Sequence, residues 1–279
     1  MRLNETIYCE KIILIKWLQT NPNCSTLEHR LIFLQALLHG RAFLLEKKTM
    51  PNDIVYILGD QPSYEELRYS LRSIEQNFPH GLVWFVGAQP RGFTPDRAVK
   101  HIQTGESKWQ KIRSSMYKAI EQEELSDEFF LFNDDFFVMK PFEGEFVNYA
   151  DGTLTDRVEQ FRKENPWLSP YARTLFKARE ELKSLKKGEV NFDVHMPMLF
   201  KKSLVIRSIN LCSSPQMRSV YGNINNIDYI EHKDVKHFDM KTVPNNPDFL
   251  STNDNVFELG EVGKYIRSCF TERCKYETE

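Results

Sequence analysis

Three short segments dominated by apolar side chains constrain the fold of this chain more than any other feature. They span residues 53–58, 82–86 and 129–132, and residues 98–103 form a further short candidate. Strands that are apolar on both faces are typical of parallel sheets covered by helices on each side. We therefore expect these segments to form the buried sheet of an α/β domain.

Segments with helical periodicity lie between these strands and favour the same fold class. Residues 63–77 and 107–122 are predicted helices, so strand and helix alternate along this part of the chain. Because crossovers between parallel strands are right-handed, the alternation predicts a doubly wound sheet. Further on, residues 190–245 are predicted to mix short strands with Asn-rich turns, such as the one at 222–226.

The N-terminal region is predicted to form a helical hairpin from residues 5–20 and 25–48. Residues 1–50 would then be a small unit packed on a main domain at 51–279. The alternative roles of the hairpin are contact between copies in a homo-oligomer, through residues 1–48, and peripheral contact with a membrane surface.

A strongly charged helical insertion is predicted at about residues 151–189, with a break between Pro166 and Pro170. Its second half is rich in basic side chains, which gives two alternatives. The segment is either a solvated helical face, or a lid or acceptor-facing surface for an anionic ligand.

The composition and charge exclude several classes of protein. The net charge is −2, so the chain lacks a general basic field and nucleic acid is not an expected partner. No apolar run approaches the roughly 20 residues of a transmembrane helix, so none is expected. The five cysteines are odd in number and scattered, which favours reduced thiols in the cytoplasm over a disulfide framework.

The most informative chemistry lies at Asn133-Asp134-Asp135, directly after the apolar strand at 129–132. The carboxyl ends of strands face the ligand crevice in open α/β sheets, and carboxylates suit Mg²⁺ or Mn²⁺. Because neighbouring strand residues point to opposite faces, one Asp is expected to reach a metal and the other a ribose or a basic partner. The alternative is an ordinary Asp pair that caps a turn.

Four further side chains are candidates, each with a structural alternative. Asp60 ends the first strand at the same edge of the sheet, or is a turn residue. His195 is a general base, or a histidine of the core. Arg218 is a fork for phosphate oxygens, or part of a surface ion pair. Asp254 is a third carboxylate, or a helix cap.

Several blocks in order along the chain together resemble the Stealth family of sugar-1-phosphate transferases. That family includes bacterial capsular polysaccharide phosphotransferases and the enzyme that tags lysosomal glycoproteins with N-acetylglucosamine-1-phosphate. The blocks are DIVYILGD at 53–60, ELRYSLRSI at 66–74, LSDEFFLFNDD at 125–135, HMP at 195–197 with MRS at 217–219, and FLSTNDN at 249–255.

The resemblance implies a GT-A-like fold, that of the nucleotide-diphospho-sugar transferases, and a nucleotide-sugar donor, a UDP-sugar, at the sheet edge. It implies that Asp134, Asp135 and Asp254 hold Mg²⁺ or Mn²⁺ across the diphosphate. Asp60 and Arg68 would lie beside the donor, together with Asp134.

The same resemblance implies how the reaction proceeds. His195 would deprotonate the hydroxyl of a glycan acceptor, Arg218 would neutralise phosphate oxygens, and Asp60 would lie at the reacting centre. The attacked atom would be the β-phosphorus, in the synthesis or modification of a capsular or cell-surface polysaccharide. The alternatives are a glycosyltransferase that transfers the sugar itself and releases a nucleoside diphosphate, and a carbohydrate-binding or scaffold protein with a decayed site.

Overall fold

A five-stranded mixed sheet lies at the centre of this protein. The computed structural model describes residues 52–164 and 167–278. The predicted N-terminal hairpin, its boundary at residue 50 and its roles in oligomer or membrane contact lie outside the described residues and stay predictions.

The described residues contain strands and helices in alternation over the first half and a more mixed order afterwards. The strands are β1 (Asp53–Leu58), β2 (Val83–Gly87), β3 (Arg97–Lys100), β4 (Glu128–Phe132), β5 (Phe136–Val138), β6 (Asn148–Ala150), β7 (Met198–Lys201), β8 (Tyr229–Glu231), β9 (Lys236–His237) and β10 (Phe249–Thr252). The helices are α1 (Glu65–Asn77), α2 (Lys108–Ile120), α3 (Leu154–Glu164), α4 (Pro170–Ser184), α5 (Lys202–Leu211), α6 (Met217–Asn225), α7 (Asp254–Leu259) and α8 (Glu261–Cys269).

The order of strands in the central sheet is β3-β2-β1-β4-β7. The first four are parallel, and β7 runs antiparallel to β4. Two smaller sheets, β5-β10-β9 and β6-β8, lie outside it. The predicted α/β class is confirmed, and the antiparallel β7 makes the central sheet a mixed one.

Side chains of β1, β2 and β4 alternate between two apolar clusters that lie on opposite faces of the sheet, whereas β3 at the edge is mostly exposed. In β1, Ile54 and Tyr56 belong to one cluster and Val55 belongs to the other. Helix α1 contributes Leu71 to the first cluster, and α2 contributes Met116 to the second. Burial on both faces explains why these strands have no polar alternation.

The predicted helical insertion consists of α3 and α4, and the predicted break falls between them. Leu154 and Val158 of α3 pack with Leu175 and Leu182 of α4 in an apolar cluster of their own. Val220 of α6 belongs to the same cluster, so the pair is fixed to the main domain by burial of apolar area.

The prediction of short strands and turns over 190–245 is confirmed for β7, β8 and β9, but it is wrong for α5 and α6, which are helices. Gly222 is helical rather than part of a turn. A Cβ there would lie 2.3 Å from the Phe192 ring, so only Gly allows this helix to pack closely on Phe192. Asn223 is fixed in the helix by hydrogen bonds from its amide to the Val190 and Ser219 carbonyls. Asn226, which is left-handed with φ 50°, ends α6.

None of the helices within residues 52–164 and 167–278 combines the length and apolarity needed to cross a bilayer. The three cysteines in this part of the chain, Cys212, Cys269 and Cys274, are unpaired.

Candidate functional site

The carboxyl ends of four parallel strands, β1 to β4, meet at one cavity of about 790 Å³, which we call the sheet-edge cavity. This is the crevice in which open α/β sheets bind ligands. The residues that follow the four strands and line it are Gly59, Asp60, Gln61, Ala88, Gln89, His101, Ile102, Gln103, Asn133 and Asp134.

The loops of the sheet-edge cavity are held close together by Gly87 and Gln103. Gly87, at the end of β2, has φ +107°, and a Cβ there would lie 2.4 Å from the Leu58 carbonyl oxygen. The Gln103 amide donates to the same carbonyl at 3.1 Å and to the Ser115 hydroxyl at 3.2 Å. A larger residue at position 87 would push the first two strand ends apart.

A basic wall of the sheet-edge cavity comes from the first turns of α2. Ser107 caps this helix and forms a capping box with Gln110, and the side chains of Lys108 and Lys111 line the cavity. The positive end of the helix dipole and two ammonium groups therefore lie in the same region, which favours a bound anion.

Asp134 is the carboxylate that β4 delivers into the sheet-edge cavity. Its Oδ2 accepts a hydrogen bond from Gln61 Nε2 at 2.8 Å. Burial and then the neighbouring charge of Asp135 raise the pKa of Asp134, and the Gln61 hydrogen bond and the Lys108 charge offset this in part. The environment therefore favours the approach of a cation to Asp134.

Asp135, in contrast, lines neither cavity, which disfavours its expected role as a metal ligand. The ammonium group of Lys236 forms an ion pair with Asp135 Oδ2 and donates to the Thr252 carbonyl as well. The Ser251 hydroxyl lies 3.3 Å from the same carboxylate oxygen. The second Asp was expected to reach either a ribose or a basic partner, and Lys236 is such a basic partner.

Glu66 of α1 lies beside this ion pair, and its role was not predicted. The Thr252 hydroxyl donates to Glu66 Oε1 at 2.8 Å. Burial raises the pKa of Glu66 to about 8, and the charges of Asp135 and Asp134 act in the same direction, against the Thr252 hydrogen bond and the Lys236 charge. Three acidic side chains and one lysine thus share this region under the end of β4.

A second cavity of about 590 Å³, which we call the His195 cavity, adjoins the first. The two share the residues Lys108, Ile112, Leu131 and Asn133 as lining. A ligand that extends along this shared wall would therefore touch both.

His195 and Asp234 form a dyad in the His195 cavity. His195 Nδ1 lies 3.0 and 2.9 Å from the two carboxylate oxygens of Asp234, and the His195 backbone N–H donates to Asp234 at 3.0 Å. With a proton on Nδ1, the imidazole keeps the lone pair of Nε2 for a substrate. Burial opposes the charge on Asp234, but the hydrogen bonds and charge of His195 outweigh it and lower its pKa.

Arg218 of α6 lies in the same cavity with 7% of its surface exposed. Its guanidinium donates to the Met196 carbonyl at 2.7 Å and to the Leu131 carbonyl at 3.3 Å, and lies 5.2 Å from the centre of the Phe136 ring. Within residues 52–164 and 167–278 it has no ion pair with a carboxylate. Burial lowers the pKa of Arg218 to about 10, so the group is a cation at neutral pH.

Two other predicted site residues lie away from both cavities, and we do not retain them. Arg68 donates to Glu277 at 2.5 Å and to Glu65 at 3.1 Å, so its guanidinium fastens the C-terminal segment to α1. Asp254 lines neither cavity, and it is an exposed residue in the first turn of α7, whose cap is Asn253 and not Asp254.

The acidic residues that line the sheet-edge cavity suit a divalent cation in one particular way. Among the described residues there is no group of three or more His, Cys, Asp or Glu side chains placed to hold a metal. Mg²⁺, however, is commonly bound by one or two carboxylates together with substrate phosphates and water. Asp134 and Asp60 are the carboxylates that line this cavity, and they fit that mode of binding.

Asp234, Lys108 and Lys111 are functional candidates that the sequence interpretation did not include. The two lysines had a usable signal, since they are three residues apart in the first turns of a predicted helix that follows a strand. Asp234 had none, because it lies 39 residues from His195 in sequence and only tertiary packing joins them.

Comparison with protein-family models and with curated proteins found no match for this chain. The resemblance to the Stealth family therefore depends on the motifs quoted above and stays a prediction.

Proposed function

We propose that this chain is a metal-dependent transferase that moves a sugar-1-phosphate from a nucleotide-diphospho-sugar to a hydroxyl of a glycan acceptor, on a GT-A-like fold. The observation that carries the proposal is the pairing of the two cavities. A histidine–aspartate dyad and a buried arginine without an ion-pair partner among the described residues lie in one cavity, and that cavity shares a wall with the acidic strand end of the other.

The sheet-edge cavity is the proposed site for the donor, a UDP-sugar. Lys108, Lys111 and the start of α2 would bind the diphosphate by charge and by backbone N–H groups. Asp134, with Asp60, would hold Mg²⁺ or Mn²⁺ against the diphosphate oxygens, and the metal would neutralise part of their charge. The negative charge of Asp135 beside Asp134, which contributes to the raised pKa of Asp134, supports this assignment because it attracts a cation.

The His195 cavity is the proposed site of proton transfer. Nε2 of His195 would accept the proton of the acceptor hydroxyl as that oxygen attacks phosphorus. Asp234 would hold the ring in the required tautomer and stabilise the imidazolium that forms. The guanidinium of Arg218 would neutralise charge on the phosphate oxygens, which is the main requirement of phosphoryl transfer.

The product nucleotide tests this proposal. The full chain, incubated with Mg²⁺, a panel of UDP-sugars and a mixture of oligosaccharide acceptors, should release UMP in chromatography of the reaction. The His195→Ala variant should release far less. UDP as the first nucleotide released would mean attack at the anomeric carbon and favour the glycosyltransferase. Release of neither nucleotide would contradict both.

A further inference from the structure

The helical pair α3–α4 supplies one wall of the His195 cavity. Arg157 and Phe161 of α3 and Tyr171 of α4 line it together with Trp109 of α2. The segment predicted to be either a solvated face or an acceptor-facing surface therefore contributes side chains directly to the proposed catalytic cavity.

Three of these side chains form a continuous aromatic surface. The Trp109 and Tyr171 rings are 5.8 Å apart at 30°, and Phe161 meets Tyr171 edge-on at 5.7 Å. Tyr171 is fixed in place, because its hydroxyl donates to Asp193 Oδ2 at 2.6 Å. Rigid aromatic rings beside hydrogen-bonding groups provide both apolar contact and orientation for a ligand with apolar and polar faces, as a sugar ring has.

The carboxylates of this cavity are already engaged. Asp193 accepts from Tyr171, and Asp234 is bonded to His195. The third, Glu164, is exposed and accepts from the amide of Gln160 at 3.2 Å.

Arg157 has no such partner. Its guanidinium lies 5.1 Å from the centre of the Phe161 ring and donates to Gln160 Oε1 at 2.9 Å. It forms no ion pair with a carboxylate of the residues that the structure describes. The ring and the amide hold the guanidinium in the cavity wall and leave donors of its planar fork for an incoming anion.

We propose that the His195 cavity binds an anionic glycan as acceptor, with Arg157 holding the oxygens of a sugar carboxylate or phosphate and the Trp109–Tyr171 surface contacting the sugar ring. The inference rests on the proposed function only in assigning the bound glycan the role of acceptor. Its binding chemistry depends only on the cavity.

Calorimetric titration of the full chain without donor tests the inference. The probes are two matched pairs, trigalacturonate with its methyl ester, and phosphorylated mannotriose with mannotriose. At least one charged member should bind about tenfold or more tightly than its neutral partner, as one hydrogen bond to a charged group allows. The pair that shows the preference distinguishes a carboxylate from a phosphate.

Two variants of α3 locate the preference. Arg157→Gln should abolish most of it, and Arg157→Lys, which keeps the charge without the fork, should retain part. Arg162→Gln is the matched control, because Arg162 lies on the same helix, pairs with Glu159 at 2.7 Å and lines neither cavity. Thermal denaturation of each variant verifies that it folds.

Equal affinity for charged and neutral probes, binding of no charged probe, or the same loss in Arg162→Gln as in Arg157→Gln would overturn the inference. Release of UMP from a UDP-sugar with water as acceptor, measured on the unmodified chain, tests the proposed function separately. Failure of that reaction in the unmodified chain would count against the proposed function and leave the glycan titration interpretable.

Discussion

The two cavities are built in different ways although they share a wall. The sheet-edge cavity uses loops that follow consecutive parallel strands, all within residues 57–134. The His195 cavity brings together α2, the helical pair α3–α4, the start of α6 and loop residues as far along the chain as Phe238. Topology alone places the groups of the first, whereas the second exists only when distant segments pack.

The carboxylates of the two cavities also differ, both in their hydrogen-bond partners and in the direction of their pKa shifts. Asp134 has an amide as its hydrogen-bond donor, and burial raises its pKa. Asp234 has the imidazole of His195, and its pKa is lowered. We infer that the sheet-edge cavity binds a cation together with its ligand. In the His195 cavity, His195 already stabilises the charge of Asp234.

The largest expected effect concerns the dyad. His195→Ala should reduce turnover by about 10²–10⁴-fold, the range for loss of a general base. Asp234→Asn should cause a smaller loss, because the ring stays but loses the charge that stabilises its protonated form. Steady-state release of UMP measures both. Unchanged turnover in both variants would remove the dyad from the reaction.

The next effect sharpens the distinction between Asp134 and Asp135. Lys236→Met should lower the free energy of unfolding by about 3 kcal/mol, because Asp135 is then buried without its partner. The double variant Lys236→Met with Asp135→Asn should recover part of the lost free energy of unfolding. Lys264→Met, in an exposed pair with Glu261 at 2.7 Å, is the control and should cost less than about 1 kcal/mol. Chemical denaturation measures all of them, and equal losses at the two lysines would contradict the assignment.

A smaller effect is expected from Glu66, whose pKa of about 8 exceeds the unfolded value near 4.5. The folded state holds the proton between these values, so stability falls as the pH rises from about 4.5 to about 8. Glu66→Gln removes this fall and keeps an acceptor for Thr252. We expect the variant to be more stable than the parent by about 2 kcal/mol at pH 9, after allowance for partial exposure, and similar to it at pH 5.

Denaturation curves with EDTA at the two pH values measure the Glu66 effect. Glu123→Gln, at an exposed position in the loop after α2, is the matched control and should show no such difference between pH 5 and pH 9. Parallel pH dependence of the Glu66→Gln variant and the parent would contradict the prediction.

The sequence was sufficient for β1, β2 and β4, because unbroken apolar strands and intervening helices leave few arrangements, but it did not place the antiparallel β7 in the sheet. It also placed Asp60 and Asp134 at one edge, since both follow parallel strands. It could not distinguish the role of Asp134 from that of Asp135, because the ion-pair partner of Asp135 is Lys236, in a strand distant in sequence. Helix α6 was missed for a similar reason: its Gly and Asn residues favour turns locally, and burial against Phe192 outweighs that preference.

The central claim is the division between donor binding in the sheet-edge cavity and proton transfer in the His195 cavity. Calorimetric titration, in the presence of Mg²⁺, of the UDP-sugar that turns over tests it most directly. Asp134→Asn should weaken donor binding by at least about tenfold, because one of few protein ligands to the cation is lost. His195→Ala should bind the donor as the parent does and release little UMP. Unchanged affinity in Asp134→Asn, or weakened affinity in His195→Ala, would contradict the account.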